Sequence, residues 1–363
     1  MNVQNELDRI NGAKSAIITA IGNKGVTVPS GTKLDALAGF IGNISSGSSE
    51  GPPNGTAWTN SGGGEFNTRS VYYGNGLWVM CSTSSIYYST DGINWVVAHT
   101  ISDSSIDSVY YANGVWVTTT STAGAGFYYS TDGINWSHND STSLSKHVCY
   151  ANGIWVGTNK DYNDALCYSK DGIAWTDIDL SVDSFRHVRN GNGIWFATRN
   201  ANLPYVSTDG MTWTLHSDIY FKANDVAYAD GLWIASKYEQ GLYYSTDAIT
   251  WTKSNMGNTT WNSIHKINGV WFMHAGDSTM ISSTDGMTWT NLSSYSRTFK
   301  KIAYANGIWV GVTNFGIYYS TDLTTWTRSD LKNYTGGTDV HYANGIWVLV
   351  GQYAYYSKAF ETT

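Results

Sequence analysis

The residues of this chain best suited to chemistry are its arginines, because several guanidinium groups together can hold the carboxylate of an acidic sugar. Cleavage of such a sugar would also need a tyrosine and carboxylic acids at the same place. Arg186, Arg189 and Arg199 lie close together in the sequence. The other arginines are scattered along the chain: Arg9, Arg69, Arg297 and Arg328. A glycan-cleaving enzyme built on Arg186 or Arg189 is therefore one alternative.

Other signatures of catalysis or metal binding are missing from the sequence. It contains no HExxH, GxSxG, phosphate-binding or dinucleotide-binding motif. Its eight histidines show no metal-ligand spacing. We therefore predict that the protein is not an enzyme and has no catalytic residue, no metal site and no cofactor.

A tryptophan-containing motif recurs along most of the chain and predicts its architecture. Eight tryptophans follow an Asn-Gly or Asp-Gly pair at separations of 38 to 40 residues. They are Trp78, Trp116, Trp155, Trp195, Trp233, Trp271, Trp309 and Trp347. Asn-Gly between β-branched and aromatic residues is typical of a two-residue hairpin turn, because both turn positions need positive φ. Each repeat therefore contains a tight hairpin.

A second motif, Ser-Thr-Asp-Gly-x-x-Trp or a close variant, follows each hairpin. Its tryptophans are Trp95, Trp136, Trp175, Trp213, Trp251, Trp289 and Trp326. Short aromatic strands flank it, so one period holds four strands, as in a β-propeller blade. The first strand of four repeats carries a histidine, for which lining a channel or hydrogen bonding is the simpler role: His147, His187, His265 and His341.

The two ends of the repeat region complement each other. The eighth period stops after "YYSK" (Tyr355 to Lys358), and "NGTAW" (Asn54 to Trp58) matches the second half of the motif. An N-terminal strand that completes the last blade would close the ring and cover its open edge. We predict an all-β, eight-bladed β-propeller with one N-terminal and three C-terminal strands in the closing blade. A seven-bladed propeller, in which one period does not form a blade, is the alternative.

The first 46 residues break this pattern and predict a small helical module. Apolar residues recur at helical spacing in two stretches, with Leu7, Ile10, Ile17 and Ile21 in the first and Leu34, Leu37 and Ile41 in the second. Two helices of this length bury little surface alone, so these residues are expected to attach the chain to other chains. We predict a helical attachment module at 1–46, a flexible linker at 47–53 and the propeller at 54–363.

Composition excludes several classes of function. A net charge of −7 gives no basic surface for nucleic acid. The opening "MNVQNELDRI" lacks the apolar run of a secretory signal or membrane anchor. We therefore expect the protein to be made in a cytoplasm and not to insert into a membrane. Three cysteines without a CxxC pair favour reduced thiols.

The loops that differ between repeats are the predicted binding surface. The two recurring turns lie on one face of a propeller, and the other two loops of each blade lie on the opposite face, where scaffold regularity does not constrain them. These loops combine polar residues with a few aromatic residues, which suits sugar binding. The candidate ligand-binding residues are Trp261, Tyr162, Tyr238, Tyr220, Tyr295 and Tyr353.

The motif "STDGMTW" (Ser207 to Trp213) resembles the Asp-box of sialidase-like propellers, although it is one residue shorter between aspartate and glycine. The resemblance implies a structural turn, because in sialidases the Asp-box lies away from the active site. It therefore transfers no catalytic residue to this chain.

The segment from Ala13 to Ile44 resembles a short helical module of virion proteins from tailed bacteriophages, through the run "KGVTVPSGTKL" (Lys24 to Leu34). This resemblance implies a component of a phage or prophage-derived particle, made in a bacterial cytoplasm and located in the virion. It also implies attachment to other virion proteins, with a homotrimer as one possible assembly. The leading hypothesis is a tail fibre or receptor-binding protein that binds a host surface glycan. A head fibre, capsid decoration or tail component without a receptor role is the alternative.

Overall fold

The computed structural model describes residues 55–358, apart from short gaps. These gaps are at 102–104, 123, 142–143, 160–165, 181, 183–184, 200–202, 217–222, 238–240, 257–260, 276–279, 293–298, 330, 332–333 and 335. The predicted helical module, its seven attachment residues and the linker lie outside the described residues. All regular elements within the described ranges are β-strands. None of the residues in these ranges forms a helix that could cross a membrane.

Each four-stranded sheet runs from an inner strand, near the centre of the ring, to an outer one. The inner strands are β2 (Thr68–Gly74), β6 (Ile106–Ala112), β10 (Leu144–Ala151), β14 (Phe185–Gly191), β18 (Ala223–Ala229), β22 (Trp261–Ile267), β26 (Lys301–Ala305) and β30 (Gly337–Ala343). The second strands are β3 (Leu77–Ser82), β7 (Val115–Thr120), β11 (Ile154–Asn159), β15 (Ile194–Arg199), β19 (Leu232–Lys237), β23 (Val270–Ala275), β27 (Ile308–Val312) and β31 (Ile346–Gly351).

The third and outer strands are shorter. The third strands are β4 (Ser85–Ser89), β8 (Phe127–Ser130), β12 (Leu166–Ser169), β16 (Tyr205–Ser207), β20 (Gly241–Ser245), β24 (Met280–Ser283), β28 (Ile317–Ser320) and β32 (Tyr355–Ser357). The outer strands are β5 (Val96–Thr100), β9 (Ser137–Asn139), β13 (Trp175–Ile178), β17 (Thr214–Leu215), β21 (Thr252–Lys253), β25 (Thr290–Asn291), β29 (Thr327–Arg328) and β1 (Thr59–Asn60).

Eight sheets of four antiparallel strands result, which confirms the predicted number of blades. We number them from blade 1 (β2 to β5) to blade 7 (β26 to β29) in chain order. Blade 8 contains β30, β31, β32 and the N-terminal β1. Thr59 pairs with Tyr356 and Asn60 with Tyr355, so the strand after "NGTAW" closes the ring as predicted.

The hairpin turns have the predicted backbone geometry. In the turn from β6 to β7, Asn113 has a φ of 49° and Gly114 a φ of 80°. The other seven hairpins, including the one with Asp230, repeat this pair of positive φ angles. Asparagine, aspartate and glycine tolerate this region better than most other residues, which explains why Asn-Gly recurs in seven hairpins and Asp-Gly occupies the eighth.

The Ser-Thr-Asp-Gly turns satisfy their own polar groups, as predicted. In blade 4 the Ser207 hydroxyl donates to Asp209 Oδ1 at 2.9 Å and accepts from the Gly210 amide at 2.8 Å. Asp209 Oδ1 also accepts from the next two amides at 2.8 and 2.7 Å. The Trp213 indole donates back to the Gly210 carbonyl at 3.1 Å. The motif is therefore a closed local network joined to the sheet by its tryptophan.

The core consists of separate clusters between neighbouring blades rather than one central mass. The hairpin tryptophans are almost fully buried; Trp78, Trp116 and Trp233 have no exposed surface. Each motif glycine lies against the tryptophan of its own blade and aliphatic side chains of the preceding blade. A Cβ on Gly286, for example, would lie 3.1 Å from Trp271 Nε1 and 2.6 Å from Leu232 Cδ2.

Two glycines of blade 6 allow this packing to be tested. Gly269 in the hairpin and Gly286 in the Ser-Thr-Asp-Gly turn have similar positive φ angles, 77° and 74°. They differ in their surroundings, because a Cβ on Gly269 would have no neighbour within 4 Å. We expect Gly269→Ala to lower the free energy of unfolding by about 1–2 kcal/mol through its backbone alone. Gly286→Ala should cost about 1–3 kcal/mol more through overpacking. Urea denaturation of both variants measures the difference.

Equal losses in the two alanine variants would contradict this account of the turn. Natural exceptions show that a side chain can be accommodated when its neighbours fit. Ala248 and Leu323 occupy the equivalent glycine position with φ angles of 61° and 64°, and both are buried. Leu323 packs in a cluster with Phe272 and Trp309.

Candidate functional site

The variable face consists of the loops between second and third strands and the loops between outer strands and the next inner strands. Four of the predicted ligand-binding residues lie in gaps of the described chain: Tyr162, Tyr220, Tyr238 and Tyr295. Trp261 is the first residue of β22 and pairs with Ala275, so it lies at a strand start rather than within a loop. Ligand binding by these residues stays a prediction.

Tyr353 is the one candidate whose surroundings are described. It lies in the loop between β31 and β32 and is partly exposed. Its hydroxyl donates to Glu65 Oε1 at 3.3 Å, and its ring lies 6.5 Å from that of Tyr355 in an edge-on arrangement. A carboxylate from the neighbouring loop thus helps to hold this ring at the surface of the variable face.

Phe315 is an aromatic residue of the variable face that the sequence interpretation missed. It lies in the loop between β27 and β28 and is 79% exposed, more than any other large hydrophobic side chain in the described ranges. The amides of Phe315 and Gly316 donate to Thr313 Oγ1 at 3.0 and 3.1 Å. Arg328 donates to the Phe315 carbonyl at 2.8 Å. The ring is therefore exposed on a loop whose backbone is fixed.

Tyr334 connects the loops that carry these two exposed rings. Its hydroxyl donates to the Thr313 carbonyl at 2.8 Å, and its ring lies 6.0 Å from that of Tyr355, which also contacts Tyr353. Burial raises the pKa of Tyr334, as expected for a phenol within the packing. We call Phe315 and Tyr353 the aromatic rim. Polar groups around exposed rings suit the C–H faces and hydroxyls of a sugar.

The arginines that could hold an acidic sugar lie in different surroundings. Arg199 is 7% exposed, and its guanidinium lies 5.9 Å from the ring centre of Phe185 and 5.8 Å from that of Tyr205. Arg69 pairs with Asp107 of the next blade. Arg186 and Arg189 both lie on the inner strand β14, and the Arg189 guanidinium donates to a ring nitrogen of His147. Within the described ranges, no three histidine, cysteine, aspartate or glutamate residues form a metal-binding group.

A belt of mostly polar residues lies on the inner strands, around the centre of the ring. Each inner strand has a buried valine or isoleucine in its middle, such as Val188 or Val226. We call the residues immediately before and after this position the inner belt. Blade by blade the described ones are Ser70 and Tyr72, Ser108 and Tyr110, His147 and Cys149, His187 and Arg189, Asp225 and Ala227, His265, Lys301 and Ala303, and Asp339 and His341. The four inner-strand histidines belong to this belt.

A cleft of about 280 Å³ lies on the outside of the ring between blades 4 and 5. It is next to the Ser-Thr-Asp-Gly turn in which alanine replaces glycine, and therefore away from the variable face. Its lining is mostly aliphatic and hydroxyl-bearing: Ile194, Val206, Ser207, Thr208, Thr212, Thr214, Asp247, Ala248 and Ile249.

These features define the protein as an eight-bladed β-propeller with four-stranded blades. No protein-family model matches the sequence, and no curated protein matches it either. Solved structures do match. The computationally designed Ika8 protein aligns with a TM-score of 0.65 and 9% identity, over 85% of this chain and 100% of its own.

Two natural proteins align similarly. Sqt1 from Saccharomyces cerevisiae has a TM-score of 0.62 and 8% identity, over 86% of this chain and 100% of its own. BamB from Moraxella catarrhalis has a TM-score of 0.62 and 8% identity, over 85% of this chain and 99% of its own. At such low identities the likeness shows the propeller and the WD40-like arrangement of its blades, and nothing about ligands.

Proposed function

We propose that this protein is a non-enzymatic adhesin of a tailed-bacteriophage particle, whose propeller binds a host surface glycan through the variable face. In this proposal the N-terminal segment attaches the chain to other virion proteins. The aromatic rim is the main observation in favour of glycan binding. Phe315 leaves most of its ring in water although its loop is fixed by Thr313 and Arg328. Core packing does not explain that exposure.

The chemistry of the rim supports a sugar ligand. An exposed ring offers an apolar face to the C–H groups of a pyranose, and Tyr353 adds a hydroxyl beside a carboxylate. The phage assignment rests on the resemblance of the segment from Ala13 to Ile44 to the virion module. The polar composition of the neighbouring loops is consistent with both parts of the proposal.

The full-length protein tests the rim directly. We expect it to bind host cells or purified cell-wall glycan and to compete with adsorption of the particle. Phe315→Ala and Tyr353→Ala should each weaken binding by about tenfold or more, because a buried aromatic anchor contributes about 2 kcal/mol at an interface. Stability should change by less than about 0.5 kcal/mol in Phe315→Ala, because this ring is largely exposed, and by more in Tyr353→Ala, because that ring packs against the cluster of Trp347 and Tyr355.

Ile249→Ala is the matched control. Ile249 is 56% exposed but lies in a Ser-Thr-Asp-Gly turn, on the opposite face, so its loss should leave glycan binding unchanged. Wild-type protein that binds neither cells nor glycan would overturn the adhesin proposal. Binding that survives both rim substitutions would remove the rim from it.

A further inference from the structure

Among the strand positions of the repeat, those of the inner belt carry different residues from blade to blade. The buried valine or isoleucine and the hairpin tryptophan recur in all eight blades, since they fill equivalent spaces between blades. The belt positions carry serine, tyrosine, histidine, cysteine, arginine, aspartate, alanine or lysine instead. If the belt served packing alone, equivalent positions would carry equivalent residues. The diversity of the belt residues therefore indicates that they have a role other than packing the scaffold.

The belt contains a polar network that crosses four consecutive blades. The Arg189 guanidinium donates to a ring nitrogen of His147, which lies in the preceding blade. The His147 ring meets that of His187 edge-on at 5.7 Å and that of Tyr110 at 6.1 Å. His187 Nδ1 lies 3.2 Å from Asp225 Oδ1. Blades 2, 3, 4 and 5 thus contribute to one group of side chains.

The carboxylates of the belt already have partners. Asp225 accepts from the Val226 amide at 2.8 Å and from the Ile264 amide of the next blade at 3.1 Å. Asp339 repeats this arrangement across the ring closure, with the amides of Val340 at 2.9 Å and Val71 at 3.2 Å. Two backbone bonds each, together with deep burial of Asp225, give these carboxylates a structural role between blades.

The cations of the belt are less well satisfied. Arg189 Nη2 lies 3.8 Å from Asp225, and Lys301 Nζ lies 3.9 Å from Asp339, beyond hydrogen-bonding distance in both cases. The Arg189 side chain keeps 28% of its surface exposed and Lys301 keeps 45%. Arg189 Nη1 also donates to the Val188 carbonyl at 3.3 Å, so the other donors of Arg189 and the ammonium group of Lys301 are those that solvent can reach, in a belt whose carboxylates are occupied.

The two cations lie on the inner strands of blades 4 and 7, β14 and β26. Burial, followed by Arg189, His187 and Lys301, holds the pKa of His147 well below its usual range. Lys301 belongs to blade 7, opposite blade 3 in the ring, so its charge acts across the channel on the imidazole that Arg189 contacts. His147 is consequently neutral and accepts the hydrogen bond from Arg189. Arg189 therefore contacts a neutral ring, and each cation of the belt lies within 4 Å of a belt carboxylate.

We propose that the central channel binds a small oxyanion group, a carboxylate or a phosphate, through Arg189 and Lys301. Arg189 supplies a planar pair of N–H donors that matches either group, and Lys301 supplies a second charge from the other side. Such an anion could belong to an acidic sugar residue or to a phosphate-containing polymer. This site is distinct from the aromatic rim, which lies on the variable face.

Titration of the full-length protein with inorganic phosphate and, separately, with glucuronate tests the proposal and separates the two sources. We expect one of the probes to bind with one site per chain by calorimetry, and glucose to give no signal. Arg189→Gln and Lys301→Gln should each weaken binding by about tenfold, because each removes a charge-assisted contact. Arg189→Lys should recover part of the affinity. Lys253→Gln, on the outer strand β21, is the matched control and should bind as wild type does.

A second measurement covers variants that fail to fold. In wild-type protein the imidazole resonances of His147 should shift with the bound probe in NMR spectra, while those of His138 on β9 should not. Absence of binding by both probes, or binding that Arg189→Gln and Lys301→Gln leave unchanged, would overturn the proposal. Loss of glycan binding through Phe315→Ala with unchanged anion binding would separate the two sites.

Discussion

Replacing Trp58 with alanine should lower the free energy of unfolding by about 3–5 kcal/mol, the cost of deleting a buried aromatic side chain. Trp58 is 8% exposed and packs in the cluster of Val310 and Trp347, and its indole donates to the Gly55 carbonyl at 2.7 Å. The strand that follows it, β1, is only two residues long. Trp58 is therefore the main fixed point of the closing strand, and urea denaturation measures its contribution.

Trp95→Ala is the matched control, because Trp95 occupies the same position of the motif in blade 1. Trp95 is partly exposed, and within the described ranges its Nε1 has no hydrogen-bond partner. We expect a smaller loss of stability from it. Hydrogen exchange gives a second readout, since detachment of β1 should speed exchange in β32 and leave β4 protected. Equal losses in the two variants, without a change in exchange, would refute this view of ring closure.

The fold was predictable from the sequence because its signals recur. A single Asn-Gly pair indicates one hairpin, whereas eight at nearly constant spacing indicate eight equivalent units. The incomplete copies at Trp58 and at Tyr355 to Lys358 added the closure, which β1 and β32 confirm. Each of these positions has a backbone or packing requirement that few residue types meet, so the sequence pattern reflects the geometry directly.

The candidate site was less predictable because no recurring geometry determines it. Phe315 lies in a loop of the variable face, but the fixed backbone that exposes it depends on Thr313 and on Arg328 of a different strand. The proximity of Arg189 to His147 likewise depends on the twist and spacing of adjacent blades, although they are 42 residues apart in sequence. Positions along one strand can be read from the sequence, but the contacts between variable positions of different blades cannot.

Acid should destabilise the protein strongly, with most of the loss between about pH 4 and pH 2. In the Ser-Thr-Asp-Gly turns, seven aspartates have lowered pKa values: Asp91, Asp132, Asp171, Asp209, Asp247, Asp285 and Asp322. For Asp209 the bond from the Thr212 amide, with those from Met211 and Ser207, outweighs desolvation and lowers the pKa to about 2. Equivalent bonds from the Thr250 and Thr288 amides reach Asp247 in blade 5 and Asp285 in blade 6.

The direction of the effect follows from proton binding. An unfolded aspartate has a pKa of about 3.9, so below that pH the unfolded chain binds protons that the native turns do not. The stabilisation from each turn is therefore complete above the unfolded pKa and is lost as the pH falls through the native pKa. Because seven turns share this property, their contributions add along the chain. Urea denaturation at pH 7, 4, 3 and 2 should show the decline in the free energy of unfolding.

Asparagine variants identify the carboxylates responsible. Asp209, Asp247 and Asp285 each have a pKa of about 2 and lie in blades 4, 5 and 6, far enough apart for their effects to add. Asparagine retains an oxygen that accepts the turn amides but does not titrate in this range. The dependence of unfolding free energy on pH should become shallower stepwise from the single to the double and triple variant. A triple variant that keeps the wild-type pH dependence would show that acid acts at other groups. In that case the turn amides would bind the charged and the neutral carboxyl group equally well.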